Sequence, residues 1–147
     1  MKYGLSILLI VGLNAAAKAQ YSKGEKDSAF SEIRRLTKMW YKAAKERDSV
    51  TLDKLLAPGF THDGDVRRTV WMDRALHHIK TDTLQNIGEI NLDYYGGAVV
   101  SKGKVRWKAL YDGTYDLTGD YPFEDVWIKA DGQWRILIRM SDRANAE

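Results

Sequence analysis

Phe123-Glu124-Asp125-Val126-Trp127-Ile128-Lys129-Ala130-Asp131-Gly132-Gln133-Trp134-Arg135-Ile136-Leu137-Ile138-Arg139-Met140 reads as two β-strands joined at Asp131-Gly132. Asp-Gly between β-branched and aromatic runs marks a two-residue hairpin turn, because both central residues need positive φ. That loop pairs Ala130 with Gln133, Trp127 with Ile136, Asp125 with Ile138 and Phe123 with Met140. One face then carries Phe123, Trp127, Trp134, Ile136, Ile138 and Met140 around Asp125. The other sets Glu124 opposite Arg139 and Val126 opposite Leu137. A longer loop or a bulge shifts this pairing. Two readings of Asp125 therefore stay open. It is a lone acid among apolar side chains, or, in another register, it meets Arg135 or Arg139 or faces solvent.

The chain has 147 residues, enough for one domain with a sizeable core. Its start is of another kind. Lys2 precedes an apolar run from Leu5 to Leu13, and Ala17-Lys18-Ala19 forms a small-x-small site. This is the pattern of a secretory signal peptide cut before Gln20, and the run is too short for a stable membrane span. Residues 1–19 are thus expected to be removed, and the protein to be periplasmic or extracellular, with no lasting membrane anchor. Without Lys2 and Lys18 the 23 basic residues become 21 against 20 acidic ones, a formal +1. The basicity of the whole chain is partly a targeting feature and does not argue for nucleic-acid binding. The chain has no cysteine, which excludes disulfides, thiol nucleophiles and thiolate metal sites. Five tryptophans and eight tyrosines must supply much of the core.

Residues 20–27 read as a polar leader. Asp27 or Ser28 caps a helix over 28–46, with Phe30, Ile33, Leu36, Thr37, Trp40, Ala43 and Ala44 on one stripe. Asp48 or Ser49 caps a second helix, closed by Pro58-Gly59, with Leu52, Leu55 and Leu56 inward. Phe60-Thr61-His62 is a short strand, and a third helix runs from Val70 to Ile79. From Ile87 the period becomes two. Val99, Ser101, Gly103, Val105, Trp107 and Ala109 point one way, and Lys102, Lys104, Arg106 and Lys108 the other, along one antiparallel strand with a wet face. Gly103 is a candidate bend or bulge in it. Helices first and a meandering sheet second is the α+β pattern, with one domain over residues 28–143.

This order resembles the nuclear transport factor 2-like superfamily, in particular its SnoaL-like branch of domains of unknown function. The likeness is carried by Trp40-x-x-Ala43 to Asp48 with Leu52-x-x-Leu55-Leu56 and Phe60, then Ala98-Val99-Val100. Most specific is Asp125-Val126-Trp127-Ile128-Lys129-x-Asp131-Gly132-x-Trp134-Arg135-Ile136. The resemblance spans roughly residues 28–141 and implies a cone: three helices packed on a strongly curved antiparallel sheet, around a pocket. It also implies a homodimer formed through the outer sheet face. The superfamily hosts enzymes, transport adaptors and assembly domains, so fold does not fix function. Relatives end the last strand with a polar group of the His-x-Ser kind, where this chain has Met140.

The same resemblance bears on the chemistry. Ketosteroid isomerase, of this superfamily, uses two aspartates and a tyrosine in an apolar cavity. Asp125 occupies a place similar to its donor aspartate, Asp63 lies near the place of its base, and Trp40 and Tyr41 stand near the place of its tyrosine. The catalytic candidates are Asp125 as acid and His62 or Asp63 as base, since histidine is a natural general base near neutral pH. Trp40, Phe60, Trp71, Tyr94, Trp107, Tyr115, Trp127, Trp134 and Met140 are the candidate pocket lining. His77-His78 lack the i, i+4 spacing of a helical metal pair, so no metal site and no cofactor is expected. The expected function is binding of a small apolar molecule, with cofactor-free proton transfer of isomerase, cyclase or hydrolase kind. The alternative is a non-catalytic ligand-binding module or a dimeric assembly module.

Overall fold

The computed structural model describes residues 21–141; the signal peptide expected at 1–19 lies outside the described residues. The first helix, α1 (Lys23–Glu46), begins inside the expected leader. Ser22 and Glu25 cap each other's backbone N–H groups, a capping box that satisfies two otherwise unpaired donors five residues earlier than Asp27 could. The buried stripe of α1 runs through Ala29, Ile33, Leu36, Thr37, Trp40, Tyr41 and Ala43. Arg47 closes the helix in the left-handed region at φ 57°.

Asp48 caps α2 (Ser49–Leu55), and Leu56 already starts strand β1 (Leu56–His62), so Pro58-Gly59 lies inside a strand rather than ending a helix. After β2 (Val66–Arg67) comes α3 (Arg68–Asp73), widened into a π-helical turn at Arg74–His78. The polar stretch Ile79–Asn86, which no apolar alternation announces, is strand β3. The remaining strands are β4 (Asn91–Tyr94), β5 (Ala98–Tyr111), β6 (Tyr115–Asp116), β7 (Gly119–Ala130) and β8 (Gln133–Ser141).

The strands form one strongly curled sheet in the order β2-β1-β8-β7-β5-β3, with β4 and β6 also on β5. The architecture is the expected α+β cone. Its sheet is mixed rather than purely antiparallel, because β1 runs parallel to β8. Helix α1 lies in the hollow, against Trp127, Ile136, Val99 and Phe60, all nearly or fully inaccessible. Trp127 keeps its indole N–H bonded to Ser101 Oγ at 3.2 Å. On the wet face of β5, Lys102, Arg106 and Lys108 meet Glu124, Asp120 and Asp82 on neighbouring strands, so the basic row is largely neutralised.

The hairpin follows the two-residue turn, with Asp131 and Gly132 both at positive φ, and pairs as expected from Ala130–Gln133 to Trp127–Ile136. There a bulge at Leu137 adds one residue to β8. Beyond it Val126 faces Ile138, Asp125 faces Arg139, Glu124 faces Met140 and Phe123 faces Ser141. A one-residue slip exchanges the faces of everything past it. Met140 is turned out to solvent, and Arg139 and Ser141 point where Ile138 and Met140 were expected.

Gly103 is neither bend nor bulge: the β5–β7 ladder runs unbroken from Ala98–Ile128 to Trp107–Gly119. The glycine leaves room for Phe123, its cross-strand partner. A Cβ there would stand 2.9 Å from the ring, which is itself held under the Arg139 guanidinium at 4.9 Å. Gly103→Ala should therefore destabilise by overpacking, by about 1–3 kcal/mol, read as a lowered urea midpoint at unchanged slope. A midpoint equal to wild type contradicts this role for the glycine.

Candidate functional site

The slip at Leu137 makes the chemistry of the hollow. A cavity of about 80 Å³ opens between α1, the π-helical turn and the concave sheet. Trp40, Trp71 and Trp107 form its aromatic walls, with Ala75, Leu84 and Val105 between them. Trp40 and Trp71 pack with ring centroids 6.0 Å apart, and Phe60 backs Trp71 at 5.6 Å. Trp107 is fixed by its indole N–H, which donates to Thr81 Oγ1 at 3.0 Å. His62, Arg139 and Ser141 form its polar end.

His62 ends β1, where the parallel pairing sets it beside Arg139 of β8. Its Nδ1 lies 3.1 Å from Asp63 Oδ2 and its Nε2 lies 3.2 Å from Ser141 Oγ. Asp63, at φ 52° in the turn after β1, also accepts the Ser141 backbone N–H through Oδ1 at 2.8 Å, and donates its own N–H to the Arg139 carbonyl at 2.9 Å. A carboxylate can only accept, so the neutral ring carries its proton on Nδ1 and leaves Nε2 unprotonated, accepting from the Ser141 hydroxyl. Burial pushes the His62 pKa below its usual 6.5. Asp63 opposes this, and Arg139 and Arg74 add to it. His62 is thus a neutral base held in one tautomer by its neighbour in the chain, next to a serine hydroxyl.

Asp125 is fully buried and lies behind the wall, not on it. Its Oδ2 is 3.3 Å from Arg139 Nη1, and its Oδ1 has no hydrogen-bond partner among the described residues. Burial raises its pKa to about 6, against the downward pull of Arg139. Arg139, 6% exposed, spreads its guanidinium over Trp40 at 4.2 Å and near Tyr41 at 5.9 Å. Tyr41 donates to Asn86 Oδ1, and burial holds its hydroxyl up at about 12.

Of the expected candidates, the fold brings together His62, Asp63, Trp40, Trp71 and Trp107. Phe60 and Trp127 are core behind the walls. Tyr94 packs on Tyr21 and Phe30 at the other end of α1. Trp134 lines a separate groove beside the hairpin turn, under Lys129. Tyr115, 66% exposed, and Met140, 37% exposed, line nothing in the hollow. His77 is exposed, and His78 sits between Asp73 and Asp112 on the outside. Arg139, Ser141 and Thr81 are the site residues that sequence reasoning missed. Arg139 was visible only as a possible partner of Asp125 in a shifted register.

No family model matches the sequence, and no curated protein does. Solved structures do. A protein from Cytophaga hutchinsonii, described as NTF2-like, superposes with a TM-score of 0.70 at 17% identity, over 78% of this chain and 97% of that one. The fold is nuclear transport factor 2-like. A candidate ketosteroid isomerase from Shewanella frigidimarina shares this fold with a TM-score of 0.56 at 16% identity, over 74% of this chain and 92% of that one. So does a candidate Ca/calmodulin-dependent kinase II association domain from Exiguobacterium sibiricum, with a TM-score of 0.71 at 11% identity, over 81% and 95%. At such identities the likeness is one of fold. Within that nuclear transport factor 2-like frame, this chain seals its hairpin aspartate beneath an arginine.

The sealed carboxyl predicts a pH signature. Its folded pKa of about 6 lies above that of an unfolded aspartate, roughly 3.9. Its contribution to stability is therefore fully present below the unfolded value and is lost as pH rises through about 6. Asp125→Asn cannot ionise and lacks this loss. Between pH 4 and pH 7 the urea midpoint of the wild type should fall relative to that of the variant. Parallel pH profiles for the two proteins contradict a raised pKa at Asp125.

Proposed function

We propose that this is a small-molecule pocket protein that moves a proton on a largely apolar ligand, without a cofactor, using His62 as the base. The observation that carries the reading is a neutral, tautomer-locked histidine whose unprotonated Nε2 is shared only with the Ser141 hydroxyl, both residues lining an aromatic cavity. Asp63 is then a positioning residue that fixes the ring, not the base. Asp125 is the counter-charge of Arg139 and not an acid in contact with the ligand. The Arg139 guanidinium supplies positive potential on the same wall, which favours negative charge on an oxygen of the ligand. The ketosteroid isomerase name of the Shewanella protein supports proton transfer next to a carbonyl as the reaction class. A cavity of about 80 Å³ falls well short of the roughly 300–1,000 Å³ of pockets for drug-sized ligands, which argues for a smaller substrate than a steroid.

The test is exchange of α-protons of a small ketone such as butanone into heavy water, followed by proton NMR. Wild type should exceed the buffer rate, with a rate that rises through a pKa below 6.5. His62→Ala should slow exchange by about 10²–10⁴-fold, the usual contribution of a general base. Exchange no faster than buffer, or unaffected by His62→Ala, removes the reading.

A second reading is an assembly module working as a homodimer. Val126, Ile128, Ile138 and Met140 form a half-exposed apolar stripe on the outer face of β7 and β8, and the Exiguobacterium protein with this fold is named for association. If a second copy covers that stripe, light scattering will give twice the chain mass and Met140→Asp will halve it; a wild-type monomer at all concentrations excludes it. Export is proposed on the Lys2 to Ala19 pattern, with Gln20 as the expected first residue of the mature protein.

A further inference from the structure

We infer that the ligand of this cavity is an anion: a small carboxylic acid with a flat apolar body, its carboxylate held by the Arg139 guanidinium and the Trp40 indole N–H. This rests on the pocket reading above and specifies what the pocket takes.

Three observations converge on it. The first is the arginine. A guanidinium has five N–H donors in a planar fork suited to a carboxylate. Asp125 engages only Nη1, at 3.3 Å, long for a charge-assisted bond, and the Tyr41 hydroxyl lies alongside. Asp125 is fully buried and outside the lining, whereas Arg139 helps to line the cavity. The second is Trp40. It is 3% exposed, lines the same cavity, and carries the guanidinium on its ring at 4.2 Å. Its buried Nε1–H has no partner among the described residues. Buried donors are ordinarily satisfied, and one left over beside a cavity points to an acceptor supplied from outside. The third is the balance of the wall. No carboxylate lines it: Asp125 lies behind, and Asp63 is tied to His62 and to the Ser141 backbone. The wall therefore offers a cation, an unpaired N–H and the Ser141 hydroxyl beside β8, and Leu84, Val105 and Trp107 toward β3 and β5. That polarity suits a short amphiphile with its charge toward β8 and its body between the indoles.

Calorimetry with crotonate and crotonamide, flat four-carbon compounds matched in shape, tests the assignment. Crotonate should bind at least tenfold more tightly. Trp40→Phe keeps an aromatic ring under the guanidinium but removes the N–H, and should reduce the preference for the acid several-fold. Arg139→Met should abolish it; if that variant does not fold, Arg139→Lys and Trp40→Phe decide. Amide binding as tight as the acid overturns the anion assignment and leaves the pocket reading standing. Binding of neither compound overturns both. A preference for the acid that survives both Trp40→Phe and the Arg139 variant places the anion elsewhere and overturns this site.

Discussion

The contact between Asp125 and Arg139 is the constraint that the rest of this cone accommodates. Two ionisable groups in the hollow of a small domain are costly to desolvate, and they persist only where geometry and neighbours compensate. Here compensation comes from every side. Trp40 of α1 and Phe123 of β7 sandwich the guanidinium between aromatic faces. Gly103 gives Phe123 the space to lie there. The bulge at Leu137 turns Arg139 inward in the first place. Without that extra residue, Ile138 would face Asp125 and the carboxyl would be buried alone. The pair thus links a local irregularity of one strand to the packing of the main helix and to the polarity of the cavity.

Much of the fold was legible in the residues. The helical stripe from Phe30 to Ala44, the alternation of Val99 to Ala109, and the Asp131-Gly132 turn each have one reading that agrees with their neighbours. Two errors have physical causes. Strand β3 was missed because Lys80 to Asn86 carries few large apolar groups, and it is made a strand by pairing along β5 rather than by its own pattern. The start of α1 was placed too late because Ser22 and Glu25 are read as a capping box only if the helix is allowed to begin among charged residues.

The site was less legible for a sharper reason. His62, Asp63 and Asp125 could be picked out as residue types, but their roles depend on register. A hydrophobic pattern fixes which face of a strand is buried and says nothing about where one residue is added. Once Leu137 is added, Met140 leaves the cone and Arg139 with Ser141 enters it. The polar strand end expected from the resemblance, in doubt at Met140, is supplied one residue further on by Ser141.

The parallel pairing of β1 with β8 has a consequence in time. His62 and Ser141 are 79 positions apart, and the three polar side chains His62, Arg139 and Ser141 all come from those two strands. Closing so long a loop is entropically slow compared with forming α1 or the terminal hairpin. On a ribosome, α1, α2 and β1 emerge and can begin to pack long before their partner exists. The binding end of the cavity is therefore the last part of the molecule to exist. Until β8 docks between β1 and β7, the chain can have most of its helical content and none of its chemistry.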